Sequence, residues 1–181
     1  IPLAVKQGRA HAYIFDGYWE DIGTVESYFK AHYTLMEQRE KTGLLSSMRP
    51  IYTLMESSPS PLIEDTEVMQ SMIAAGCHIQ AKSIVRSVIG PGVSIGKGSI
   101  IEDAIVLGSH PWQFQKPEQL SAIGEGSVLK MCILDENVRI PSNVKLINQE
   151  KRKHFDGDGI YIRDGIIIVT EKANLPAGYT L

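Results

Sequence analysis

The stretch "FDGYWEDIGTVESYF", Phe15 to Phe29, places an indole and two adjacent carboxylates on a turn between a glycine and a helix start. Asp and Glu just before a helix N-terminus can cap its free amides and suit its positive end. The same residues can do other chemistry. One carboxylate can hold a divalent cation whose other ligands are the phosphates of a nucleotide, because such ions combine one or two carboxylates with substrate oxygens. Trp19, two residues before Asp21, can offer a flat wall to a sugar ring. Residue type and spacing alone leave capping and cation binding both open.

Other chemistry-bearing residues give weaker signals. His11, His32, His78, His110 and His154 show no metal-ligand spacing. His32 falls on the apolar stripe of a helix and is expected to be packed. His78 and His110 are the candidates for an acyl-transfer base. Gly90, Gly92, Gly96 and Gly98 are spaced like a phosphate loop, but without its lysine pattern or a following helix, so corner geometry explains them better. No Ser-His-Asp constellation can be argued from these residues. Cys77 and Cys132 have no CxxC spacing and are expected to be buried, reduced thiols.

The elements that position these groups follow from periodicity. "HAYIFD", residues 11–16, reads as a strand delivering the turn. Thr24 caps a helix with Glu26 in its first turn, and Val25, Tyr28, Phe29, His32, Leu35 and Met36 form one apolar stripe. "EQREKTG" is polar and ends on a terminating glycine. Residues 44–61, with "SSPSP", read as an extended linker. Beyond Leu62, Ile73, Ile79, Ile84, Ile89, Ile95 and Ile100 or Ile101 recur every five or six residues. That rhythm fits neither a helix nor a simple strand. It fits a left-handed parallel β-helix, about three hexads to a triangular coil, with aliphatics stacked inside and glycines at tight corners. The rhythm breaks at Gly108–Leu120, read as a loop extruded from a corner, and resumes with Ile123, Val128, Ile133, Ile140 and Leu146. Asp164-Gly165 predicts a hairpin over 160–170 that, with "NLPAG", closes the end of the solenoid. The fold class is therefore mainly β. Residues 1–43 read as the last strand-turn-helix of an α/β domain, 44–61 as linker, and 62–181 as β-helix.

The chain has 181 residues, 43% of them apolar, and a net charge of −3. Lys and Arg are outnumbered and scattered, which argues against nucleic acid, and no apolar run is long enough for a membrane helix. "IPLAVKQG" has no initiator Met or signal peptide, so a piece of a larger protein is expected.

"GYWEDIGTVESYF", "PIYT", "SVIGPGVSIGKGSIIEDAIVLG", "ILDENVRIPSNVKLIN" and "DGIYIRDGIIIVTEKANLPAG" together resemble the carboxyl-terminal part of plant-type ADP-glucose pyrophosphorylases over nearly the whole chain. The resemblance implies joining of ATP and glucose 1-phosphate with release of pyrophosphate, by in-line attack on the α-phosphorus, with magnesium as cofactor. It implies that Asp21 is a magnesium ligand and that Trp19 lines the glucose pocket, while Glu20 takes no role. It also implies homo- or hetero-tetramers built through the solenoid and a cytoplasmic or plastid location. The rest of the active site lies in the family's amino-terminal domain, so the fragment alone is expected to be inactive. The alternatives are another sugar-phosphate nucleotidyltransferase, or a hexapeptide acyltransferase or structural β-helix.

The same resemblance marks departures at the effector site. The family carries Gln-Pro-Arg after "PIYT", where this chain has Leu54, Met55 and Glu56. The lysine of "IDKNARIG" corresponds to Glu136, beside a retained Asp135. The lysine before "DALIP" corresponds to Glu171, with Lys172 adjacent. Three basic positions have become acidic, and each reversal costs an anionic effector on the order of a few kcal/mol. Activation of the full protein by 3-phosphoglycerate is accordingly expected to be weak or absent.

Overall fold

The computed structural model describes residues 1–44, 48, 51–52, 58–109 and 121–181. Leu54, Glu56, His110 and most of the expected linker and corner loop lie outside the described residues. Helix α1 spans Pro2–Lys6, α2 Val25–Glu37 and α3 Arg39–Thr42. The capping expectation holds at α2: the Ser27 amide donates to Thr24 Oγ1 and the Thr24 amide to Ser27 Oγ, both at 3.1 Å. Gly43, at φ 64°, ends α3 in the left-handed conformation. Residues 11–16 form no ladder. Strand geometry persists by pairing with a neighbouring strand, and no described segment runs alongside. Tyr13 and Ile14 stay more than four-fifths exposed.

The solenoid is a three-sided parallel β-helix. Its first coil is β1 (Leu62–Ile63), β2 (Glu67–Met69) and β3 (Met72–Ile73), and its second is β4 (His78–Ile79), β5 (Ser83–Val85) and β6 (Val88–Ile89). The third is β7 (Ser94–Ile95) and β8 (Ile100–Val106), and the fourth β9 (Ala122–Ile123) and β10 (Val128–Leu134). Strands β8 and β10 each turn a corner and so serve two faces. β11 (Arg139–Ile140) and β12 (Lys145–Leu146) open the last coil. One face is β1-β4-β7-β9-β11. The second is β2, β5, and the first halves of β8 and β10, with β12 beyond. The third is β3, β6, and the second halves of β8 and β10.

Ile79, Ile84, Ile89, Ile95 and Ile101 are each at most 2% exposed and share one core, as the hexad spacing requires. After the corner loop two expected inward positions are displaced. Leu129, not Val128, is fully buried, and Ile133 lies on the outer surface between inward Cys132 and Leu134. The cause is local. Met131 turns the corner at φ 52°, as Asp103 does at φ 50° in the coil before. A left-handed residue inside a strand resets the two-residue alternation, and a slip of one exchanges the faces.

Corners depend on small residues. A Cβ on Gly90 would collide with the Leu107 carbonyl, and one on Gly108, at φ 83°, with the Pro91 carbonyl of the neighbouring coil. Serines, buried except for the half-buried Ser71, do the rest of the corner work, unforeseen from aliphatic spacing. Ser71 Oγ accepts the Ser87 amide at 3.1 Å, and Ser87 Oγ accepts the Ala104 amide at 3.1 Å. Ser99 Oγ accepts the Ser127 amide and Ser127 Oγ the Val144 amide in the same way, at 3.3 and 3.2 Å. Amides that the turns leave without ladder partners are satisfied from inside.

The tail adds β13 (His154–Asp156), β14 (Ile160–Arg163) and β15 (Ile166–Val169). Arg163 pairs with Ile166 across Asp164 and Gly165, both at positive φ, so the hairpin has the expected two-residue turn. β15 runs parallel to β10, which fuses the hairpin to the third face. Leu175, Tyr179 and Leu181 pack on the core, and Thr180 bridges to Lys145.

Candidate functional site

The turn between Tyr18 and Thr24 stands clear of the solenoid. Trp19 is 77% exposed, and Asp21 is also exposed. Asp21 Oδ1 accepts the Gly23 amide at 2.9 Å, which shapes the turn and leaves the second carboxylate oxygen without a partner among the described residues. Gly23 fits here because an added Cβ would lie 3.1 Å from Asp21 Oδ1. The Tyr18 hydroxyl donates to Glu20, and this bond, ahead of burial and the charge of Glu20, raises the phenol above its ordinary range. Glu20 is thereby occupied within the turn.

Helix α2 carries the turn and is docked on the solenoid. Phe29, the buried residue of α2, packs with Ile105, Ile133 and Ile166 on the outer surface of the third face. Val25, Tyr28 and Tyr33 flank it. The Tyr33 hydroxyl donates to Asp103 Oδ1 at 3.2 Å, and Arg86 Nη2 donates to Asp103 Oδ2 at 2.7 Å. The Asp103 side chain is only 8% exposed, so the two donors offset the desolvation of its charge. Burial, then the charge of Asp103, pushes the Tyr33 phenol far above the ordinary tyrosine range. The hydrogen bond to Asp103 raises the Arg86 guanidinium further.

Among the positions marked as altered, Asp135, Glu136, Glu171 and Lys172 come together at one corner. The Asp135 amide donates to the Val169 carbonyl at 2.9 Å, so the two segments lie side by side on adjacent coils. Asp135 Oδ1 accepts the Glu136 amide at 2.9 Å. Glu136, Glu171 and Lys172 are exposed, and Asp135 is half-buried. This corner faces α2: burial raises the Tyr28 phenol first, and the charge of Asp135 raises it further. Three carboxylates and one ammonium thus share this corner, and the charge of one of them, Asp135, reaches Tyr28 of α2. The docking of α2 itself was not legible, although the aromatic stripe Tyr28, Phe29 and Tyr33 could have suggested it.

The remaining candidates separate. His32 Nδ1 lies 2.9 Å from the Tyr28 carbonyl and its ring meets the Tyr28 ring at a tilt of 58°, as a packed residue would. His78 sits half-exposed on the outer surface of β4, with Nε2 2.7 Å from Glu64 Oε2. That contact, the largest cause, holds the Glu64 carboxyl below its usual range. No group of three His, Cys, Asp or Glu residues among those described could hold a metal. Cys77 and Cys132 are free and buried, and burial pushes the Cys132 thiol up to about 12. No helix among the described residues is long and apolar enough to cross a membrane.

Comparison with known proteins matches this geometry. Residues 57–180 match the family described as the GLGC left-handed parallel beta-helix domain, and residues 1–38 match the nucleotidyl transferase family. The glucose-1-phosphate adenylyltransferase small subunit, chloroplastic/amyloplastic, of Triticum aestivum is 35% identical over 190 residues. That alignment covers 98% of this chain and 40% of the wheat protein, so the chain spans about two-fifths of its relative's length.

Proposed function

The chain belongs to the family of GLGC left-handed parallel β-helix domains, and from that membership we propose that it is the carboxyl-terminal part of a glucose-1-phosphate adenylyltransferase. The observation that carries the reading is the junction. The end of a nucleotidyl transferase domain runs into a GLGC solenoid in one chain, and its last helix is seated on that solenoid through Phe29.

In the full protein the reaction joins ATP and glucose 1-phosphate and releases pyrophosphate. The chain's own part is positional. Trp19 gives the glucose ring an apolar wall, and the capped, docked α2 fixes the turn from below. Asp21 suits a magnesium ion as one donor of several: one oxygen is held by Gly23 and the other is free. A lone carboxylate matches an ion that draws most of its ligands from water and phosphate. Bound there, magnesium would neutralise phosphate charge. The solenoid serves assembly into tetramers and regulation.

Glu136 and Glu171 stand at a corner shared with Asp135, so an anionic effector would meet carboxylates there, with Lys172 as the opposing charge. Activation of the full protein by 3-phosphoglycerate is expected to be less than about two-fold, and a several-fold rise would contradict this reading of the corner. The activity itself is tested by assaying the full-length protein with glucose 1-phosphate and each nucleoside triphosphate. Preference for ATP, with a loss of about 100-fold or more in Asp21→Asn from removal of a metal-holding charge, supports the assignment. Preference for another base, or an unaffected Asp21→Asn, contradicts it.

A further inference from the structure

A basic cavity of about 350 Å³ lies at the foot of the closing hairpin, and no residue of the Asp21 turn or of the Asp135 corner lines it. Its volume falls at the lower end of the range for small-molecule sites, about 300–1,000 Å³. Lys130, Lys151 and Lys153 line it against one carboxylate, Asp164, so three positive charges less one negative leave two positive charges. Lys130 is ion-paired to Glu102 at 3.0 Å. Lys151 and Lys153 have no carboxylate within ion-pair distance among the described residues. Met131 and Ile147 contribute apolar wall.

The cavity is held open by the chain itself. Asn148 Nδ2 donates to the Arg152 carbonyl at 2.8 Å and to the Gly165 carbonyl at 3.2 Å, while Asn148 Oδ1 accepts the Arg152 amide at 2.9 Å. One amide side chain therefore ties the loop bearing Lys151 and Lys153 to the hairpin turn bearing Asp164. Lys151 is kept at φ 51°, a conformation that a lysine adopts only where its surroundings impose it.

We propose that this cavity binds a small phosphate monoester, with Lys151 and Lys153 on the phosphoryl oxygens and the organic part against Met131 and Ile147. A phosphate monoester carries a charge of roughly −1.5 to −2 at pH 7 and three strong acceptors, which two compact ammonium groups match better than a carboxylate would. The cavity exceeds what a bare oxyanion fills, and its apolar wall gives the organic part a contact that inorganic phosphate lacks. The proposal stands apart from the adenylyltransferase reading, because its residues take no part in that site.

Calorimetric titration of the full-length protein with phenyl phosphate and with inorganic phosphate tests it, using Lys151→Ala/Lys153→Ala and, as a control elsewhere on the solenoid, Lys97→Ala. The wild-type and control proteins should bind phenyl phosphate at one site per chain that the double variant lacks or binds at least 100-fold more weakly, about ten-fold per ammonium removed. At that site phenyl phosphate should bind at least ten-fold more tightly than inorganic phosphate. An unchanged number and affinity of sites in the double variant, or an equal loss in Lys97→Ala, would overturn the proposal. Equal affinity for the two phosphates would overturn the monoester assignment.

Discussion

Replacing Phe29 by Ala should release α2 while leaving the coils folded. Phe29 is 5% exposed and packs with Ile105, Ile133 and Ile166 in a cluster separate from the solenoid core. Truncating a buried Phe to Ala costs about 3–5 kcal/mol. What then keeps the helix docked is the half-buried Val25 and Tyr28 and the Tyr33–Asp103 hydrogen bond, the last contributing about 1.5–3 kcal/mol. The loss is as large as these remaining anchors, so it should appear as local opening of α2. At about 1.4 kcal/mol per factor of ten, the α2 amides should exchange roughly two to four orders of magnitude faster. Amides of β8, β10 and β15 should change by less than about ten-fold, because the inward stack contains no atom of Phe29. Hydrogen exchange of the 181-residue chain, resolved by peptide mass spectrometry, reads both quantities. Equal acceleration across helix and coils would show that docking and coil stability are one cooperative unit, and unchanged α2 protection would show that Phe29 does not hold the helix.

Leu129→Ala should lower unfolding stability by about 2–5 kcal/mol, whereas Val128→Ala should lower it by less than about 1 kcal/mol, since only the former opens a cavity in the stack; denaturant melts compare them. Tyr33 should make α2 docking sensitive to alkali. Its folded phenol is raised, so below the ordinary tyrosine pKa near 10 the stabilisation is complete, and it is lost as pH rises above that value because the undocked phenol ionises first. Exchange of α2 amides between about pH 9 and 11, corrected for intrinsic rate, should therefore steepen in the wild type and less in Tyr33→Phe, which keeps only the raised Tyr28 phenol. Cys132, with its thiol raised to about 12, should resist alkylation at pH 8 in the folded chain and react at an ordinary rate in denaturant.

The solenoid was legible because its signal is repetitive. Each of Ile79, Ile84, Ile89, Ile95 and Ile101 meets the same constraint, and every repeat reinforces the same period. The reading slipped where a coil turned on a left-handed Met131, since counting residues does not reveal which one bends the strand. The serine ladders were missed for a related reason: a buried Ser87 or Ser127 differs from a surface serine only in its partners, which come from other coils. Thr24 and the Asp164-Gly165 turn were readable because capping and tight turns are settled within four residues. The Tyr33–Asp103–Arg86 contact was not, because it joins residues 70 and 17 positions apart. The expected strand at 11–16 had the right composition, yet a strand also needs a neighbour, and composition cannot supply one.

The most direct test of the central claim is pyrophosphate release from ATP and glucose 1-phosphate, measured in parallel for the full-length protein and for the 181-residue chain. Turnover is expected from the former and none from the latter, whose described residues hold no three-ligand metal site. Turnover by the chain alone, or a full-length protein that makes no ADP-glucose, would contradict it.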